Sequence, residues 1–253
     1  MYPIYIPSKA RSDYCLTADI FIAEGIDVKI VIEPQDREKY KEKYEKYILV
    51  MEKNDQGIAY VRNWCKKHAL NNKDKFHWQI DDNIRAFRRR ENKKNIRCKA
   101  IPCLQEVEDF ICEYKNIGIV GLRHTMYAFS QKQYLSLNQQ VYSCVLVNNY
   151  INVWWRDNCV EDTDYSLQIL FENYCTIIFN TLLIEKPPTM QMKGGNTEIA
   201  YGGDGRLRRS FGLQILWPGI FDLTYKYGRP KMKPSRIWQT FKQVPIKYDK
   251  SKS

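Results

Sequence analysis

The sequence contains no Cys-x-x-Cys pair, no Gly-x-Gly-x-x-Gly, no Walker-type phosphate loop and no apolar run of membrane-spanning length. The first absence, with only three histidines (His68, His77, His124) to help, argues against a structural zinc site. The eight cysteines are read instead as mostly buried free thiols of a reducing compartment. The second and third remove the dinucleotide fold and the P-loop as identifiable by signature. The N-terminal stretch Met1-Tyr2-Pro3-Ile4-Tyr5-Ile6-Pro7 lacks the basic start and long apolar region of a secretory signal, so a cytoplasmic location is expected.

What is present is dominated by Phe76-His77-Trp78-Gln79-Ile80-Asp81-Asp82-Asn83, an aromatic strand that stops at two adjacent carboxylates and an amide. Two acids at a buried strand end need compensating positive charge. A divalent cation with a nucleotide diphosphate supplies it in one reading, since hard oxygen ligands suit Mg²⁺ or Mn²⁺. In the other, Asp and Asn are simply turn formers.

The net charge of +11 is concentrated. Residues 85–99 hold Arg85, Arg88, Arg89, Arg90, Lys93, Lys94, Arg97 and Lys99 against Glu91, a net of +7. Residues 226–253 hold nine basic residues against Asp249, a net of +8, which leaves the remainder at −4. A mildly acidic body with two basic segments suits a polyanion such as DNA. Solvated surface lysines are the plainer account, but concentration into two segments favours nucleic acid over it.

In chain order, an apolar strand at Tyr2–Ile6 leads into Pro7-Ser8-Lys9-Ala10-Arg11 and a helix from Leu16 to Ala23, closed by Gly25. Strands follow at Val28–Ile32, ending at Glu33, and at Ile48–Met51, with a charged helix from Asp36 to Tyr47 between them. Apolar residues Ile58, Val61, Cys65 and Ala69 mark an amphipathic helix from Ile58 to Leu70, with Arg62 on its flank. Arg62 is either a surface charge or a guanidinium aimed at the acids after Ile80. Strands alternating with helices predict an α/β fold, with a mostly parallel central sheet flanked by helices. Ser8, Glu33, Asp81 and Asp82 then collect at carboxyl strand ends.

A helix is expected from Leu104 to Lys115, with strands at Ile117–Leu122, Val141–Val147 and Thr176–Asn180. Glu161-Asp162-Thr163-Asp164 starts another helix, where acids are favoured by exposed N–H groups and where one could equally serve as a general base. Residues 185–206, with Gly194, Gly195, Gly202, Gly203 and Gly205, are read as a lid, followed by basic Arg206, Arg208 and Arg209. Residues 1–225 are expected to form one domain, and 226–253 a basic, Pro-broken tail in which Trp238 and Phe241 anchor on the body, the favoured role, or stack on bases.

Taken together, Ile4-Tyr5-Ile6-Pro7-Ser8-Lys9-x-Arg11, Gly57-Ile58-x-x-x-Arg62-Asn63, Trp78-Gln79-Ile80-Asp81-Asp82-Asn83 and Glu161-Asp162-x-Asp164 resemble, in order and spacing, a glycosyltransferase of the GT-A (Rossmann-like) fold. The narrower resemblance is to the TET-associated glycosyltransferases of phages and related elements, which Gly228-Arg229-Pro230-Lys231 and Trp238 also fit. The resemblance implies a nucleotide-sugar site, with a UDP-sugar as donor, made by Pro7, Ser8, Lys9, Arg11, Glu33, Arg62, Asp81 and Asp82. It implies Mg²⁺ or Mn²⁺ at Asp82, Asp81 and Asn83, with asparagine where an Asp-x-Asp motif has its second aspartate and no histidine after His124. It implies Asp162 as catalytic base, with Glu161 as competitor. The acceptor it implies is a 5-hydroxymethylpyrimidine in DNA, 5-hydroxymethylcytosine first. Arg85, Arg88, Arg89, Arg90, Lys93, Lys94, Arg206, Arg208, Arg209, Lys231 and Lys233 would then contact DNA, in a host cytoplasm if the gene is a phage's. Three readings compete: transfer to a glycan, protein or small molecule; nucleotidyl transfer; and an inactive DNA-binding module.

Overall fold

The computed structural model describes residues 1–187, 192, 194–195, 203–226, 229–234 and 237–249, with the backbone alone at 223, 226 and 229–234. Strands Ile4–Pro7 (β1), Lys29–Ile32 (β2), Ile48–Val50 (β3) and Phe76–Ile80 (β4) alternate with helices Leu16–Ala23 (α1), Arg37–Tyr44 (α2) and Gly57–Asn71 (α3). β1 is parallel to β2 and β4, and β2 to β3. Their period-two pattern sorts side chains between two layers. Ile4, Ile6, Ile30 and Ile32 pack with Phe21 of α1 and Tyr40 and Tyr44 of α2, whereas Tyr5 and Val31 pack with Val61, Cys65 and Ala69 of α3.

The predicted parallel order therefore holds in this half. Beyond β4 the sheet is mixed. Cys144–Asn148 (β9) runs antiparallel to β4 and to Ile117–His124 (β7), and Cys175–Glu185 (β10) is parallel to β7. A hairpin, Ala86–Glu91 (β5) and Lys94–Cys98 (β6), is antiparallel to β10. With Leu135–Leu137 (β8) on β10, the ten-stranded sheet has the order β3-β2-β1-β4-β9-β7-β10-β5-β6. The reason lies in the connections: parallel neighbours need a crossover, and neither the two-residue hairpin loop nor the path from β7 to β9, which holds a 3-10 turn and β8 but no α-helix, provides one.

Helix Ala100–Ile111 (α4) joins the layer of α1, and Glu161–Phe171 (α5) packs with Ala59 of α3 against Val145, Val147 and Ile119 on the other. Helices thus cover both faces, and β1, β2, β4, β7 and β10 bring their carboxyl ends to one edge. The residues after β10 include a helix, Gly205–Leu216 (α6), a two-stranded ribbon, Phe221–Lys226 (β11) with Arg229–Pro234 (β12), and a short helix, Ile237–Thr240 (α7). Trp238 and Phe241 pack on the cluster of Cys159, Leu167, Leu213 and Phe221, as anchors. The chain then runs back over the body, where Ile246 O accepts from Lys115 N and Tyr248 N donates to Glu113 O, both at 2.9 Å. Among the described residues no helix is long and apolar enough to cross a membrane.

Candidate active site

The turn after β4 is fixed from beneath by the first turn of α1. Thr17 donates from its N–H to Asp82 O (3.1 Å) and from Oγ1 to Asp81 O (2.5 Å), and its Oγ1 accepts from Ile84 N (2.9 Å). The two carboxylates, held on opposite sides of this turn, enter different surroundings.

Asp82 is buried in the β1–α1 loop. Its Oδ1 is paired with Arg11 Nη1, and its Oδ2 accepts from Ser8 Oγ at 2.7 Å. Ser8 Oγ also meets Tyr40 OH at 2.7 Å, and Tyr40 OH accepts from Arg11 N at 3.0 Å. Burial pushes the Asp82 carboxyl up against the pull of Arg11 and Ser8. Beside it, Lys9 Nζ is 2.9 Å from Glu33 Oε2 and paired with Asp55, while Gln35 Nε2 donates to Glu33 Oε2 at 2.6 Å. Pro7, the last residue of β1, is half-buried. The described part of the Gly-rich stretch covers this loop: Gly195 N donates to Lys9 O (2.8 Å) and Gly194 O accepts from Arg11 Nη2 (3.0 Å). Both glycines have positive φ, and a Cβ on Gly194 would lie 2.4 Å from Ala10 O, so a side chain there would break the contact. Gly202 of the expected lid lies outside the described residues.

Asp81 faces the cleft, its side chain 30% exposed. Lys186 Nζ, just past β10, donates to its Oδ2 at 2.5 Å and to Ser143 Oγ at 3.0 Å. Arg62 Nη2 lies 3.7 Å from Asp81 Oδ1 and 3.3 Å from Asp162 Oδ1, so one buried guanidinium stands between the strand-end acid and the helix-start acid. Its Nη1 donates to Gln79 Oε1 at 3.4 Å, and its buried Nε has no partner among the described residues. Burial raises the Asp81 carboxyl, but Lys186 and Arg62 outweigh it and hold the pKa at about 2. Asp162 goes the other way. Burial, with Glu161 and Asp81 beside it, lifts its pKa to about 7 against Arg62 and Arg209.

The other acids of α5 are engaged. Glu161 is buried and paired with Arg209, whose Nε donates to Cys159 O at 3.0 Å. Asp164 is fully buried and accepts from Arg156 Nε (2.9 Å), Trp217 Nε1 (2.7 Å) and Gln168 Nε2 (2.8 Å).

The basic segments divide similarly. Arg88 is paired with Glu185 and Arg89 with Glu106, both at 2.6 Å, and Arg208 with Asp204 at 3.0 Å. Arg209 is tied to α5, and Arg206 lies on α6, part-exposed. Arg85, Lys93 and Lys94 face solvent, while the Arg90 guanidinium sits 5.1 Å from the Phe129 ring. Lys231 and Lys233 lie on β12, with side chains outside the described residues, as does all of Gly228.

The donor set limits what a metal could use. Both oxygens of Asp82 are engaged, and among the described residues no three His, Cys, Asp or Glu side chains converge. Among the described residues Asp81 Oδ1 has the 3.7 Å contact with Arg62, Ser143 adds a side-chain hydrogen bond to the carboxylate, and Asn83 Oδ1 has no partner. This fits an ion attached through Asp81, with phosphate and water completing its shell, as Mg²⁺ commonly accepts. Lys186, which supplies charge at the same place, has no sequence signal: a lone lysine before Pro187-Pro188 looks like any surface lysine.

No curated protein matches the chain. Among solved structures it is similar to A197 from STIV at 12% identity and a TM-score of 0.42, over 72% of this chain and 83% of that one. The model of the family described as TET-Associated Glycosyltransferase matches residues 2–195, a span that holds the ten-stranded sheet and every carboxylate of the cleft. By that match, the chain belongs to the TET-associated glycosyltransferases.

Proposed function

We propose that the protein transfers a sugar from a UDP-sugar to a 5-hydroxymethylpyrimidine in DNA, 5-hydroxymethylcytosine first, by single displacement with Asp162 as general base. The observation that carries this is the bridge Asp81–Arg62–Asp162: a cation-lined place for a diphosphate on one side, and on the other a carboxylate with an elevated pKa in the same cleft. A base is most effective when its pKa lies near the working pH.

Asp162 takes the proton of the acceptor hydroxymethyl group as its oxygen bonds to the anomeric carbon. The bond from that carbon to the diphosphate oxygen breaks, and the nucleoside diphosphate leaves. Lys186 and Arg62 offer positive charge where the departing diphosphate gains negative charge. Lys9, Arg11, Glu33 and Ser8 build the rigid floor under the nucleotide, and the Gly194–Gly195 contact covers it. Asp81 and Asn83 would hold Mg²⁺ or Mn²⁺, which would add Lewis-acid stabilisation of the leaving phosphate. Glu161 and Asp164, both engaged, position α5. The solvent-facing Arg85, Lys93 and Lys94 supply the charge that attracts DNA, and a target base in a duplex must be extruded to reach Asp162.

The test is a transfer assay on duplex DNA containing 5-hydroxymethylcytosine or 5-hydroxymethyluracil, with a mixture of UDP-sugars, Mg²⁺ or Mn²⁺, and mass spectrometry of the digested nucleosides. A hexose-sized mass gain that disappears in Asp162→Asn is expected. Donor hydrolysis without any gain on DNA would overturn the acceptor and keep the transferase.

A further inference from the structure

We propose that the strip from His124 to Phe129, with Tyr142, is a stacking track for the acceptor strand, leading from the basic hairpin into the cleft. The inference rests on the DNA-acceptor reading and specifies which surface receives the bases.

The track starts at the site. His124 ends β7 and is register partner to Ile184, two residues before Lys186; Tyr142 adjoins Ser143, whose hydroxyl accepts from Lys186. The His124 ring stacks obliquely on that of Tyr142 (centroids 4.8 Å, planes 33° apart) and lies 6.4 Å from Tyr127. Burial and the nearby Lys186 hold the His124 pKa down at about 4, so its ring is neutral at physiological pH and offers a face rather than a charge. From His124 the chain enters the 3-10 turn Thr125–Ser130, where Met126 is 70%, Tyr127 47% and Phe129 73% exposed. Three large apolar side chains within four residues are not there for the core, which this turn reaches through Ala128 alone.

Charge then alternates with the rings. Arg90 lies over Phe129 at 5.1 Å, and past it the hairpin presents Lys93 and Lys94 at its tip and Arg97 farther along β6 to solvent, with Glu91 the one acid on those two strands. Aromatic faces beside cations that follow a backbone are the two parts of a single-strand nucleic-acid surface. An anionic membrane also takes aromatic and basic groups, but this strip runs into a cleft that holds Asp81 and Asp162, where a polar, extruded base fits and an acyl chain does not.

The experiment measures binding of a fluorescent single strand bearing one 5-hydroxymethylcytosine, across a salt series, to the full chain, Tyr127→Ala, Phe129→Ala and Lys93→Ala, with thermal midpoints as the folding control. Each aromatic substitution is expected to weaken binding roughly tenfold or more at unchanged salt slope, and to raise the KM for DNA more than it lowers kcat. Lys93→Ala is expected to flatten the salt slope by about one charge. Wild-type binding that survives both aromatic substitutions overturns the track and leaves the DNA acceptor standing. A wild type that binds no DNA, while still hydrolysing its donor, removes both. Loss of binding to phosphatidylserine vesicles in the aromatic variants, with DNA affinity unchanged, overturns the track in favour of a membrane.

Discussion

Asp81 and Asp82 are adjacent in sequence, yet one is a strut and the other faces the cleft. Asp82 is enclosed by Arg11, Ser8 and Tyr40, and its oxygens are engaged. Asp81 is 30% exposed and has two cations that a diphosphate could share. The same division recurs at α5, where Asp164 is locked by Arg156, Trp217 and Gln168 while Asp162, two residues earlier, opens on the cleft. In each pair the enclosed acid fixes the backbone from which the open acid projects. Substitutions at the enclosed acids should therefore register as stability, and those at the open acids as rate.

The largest effect that would break this comparison is at Asp162. Asp162→Asn should lower transfer about 10²–10⁴-fold at an unchanged denaturation midpoint, read by initial rates and urea unfolding. A lowered midpoint with normal rate would make Asp162 another strut. Next comes Asp82→Ala, which leaves the buried Arg11 guanidinium without its carboxylate. Urea unfolding should show a loss of about 3–5 kcal/mol. A stable but inactive Asp82→Ala would erase the distinction between the neighbours.

Two smaller effects sharpen it. Lys186→Met removes a charge-assisted bond at the proposed diphosphate position and should weaken UDP binding by calorimetry about tenfold or more. Unchanged affinity would move the diphosphate elsewhere. The last is a pH profile. As the proposed base, Asp162 would have to be ionised to act, so kcat/KM should rise with pH through an apparent pKa of about 7. Arg62 lowers that pKa and Glu161 raises it, so Arg62→Gln should move the limb to higher pH and Glu161→Gln to lower pH. A profile flat from pH 5 to 9 would sink the assignment.

Local chemistry was legible where one segment carries its own signal. α1 at Leu16–Ala23 and β4 at Phe76–Ile80 match the residues that periodicity picks out. β10 extends to Glu185, past the expected Asn180, because Leu182, Leu183 and Ile184 continue the apolar run after the polar pair Asn180-Thr181. The β5–β6 hairpin was hidden by its charge. Its strands lack alternation, and its turn places Asn92 and Lys93 at φ 47° and 65°, a conformation usually signalled by Asn-Gly. Helix α6 was masked likewise by the glycines and arginines that precede and fill its first turn.

The sequence by itself determined the α/β class, the acids at the end of β4 and the start of α5, and the family to which the chain belongs, because these rest on short-range pattern and spacing. Which acid of each pair faces the cleft, and which cation stands beside it, was decided only by tertiary structure. Arg62 meets Asp162 across 100 positions and Lys186 meets Asp81 across 105, and desolvation and charge pairing depend on such neighbours in space rather than along the chain.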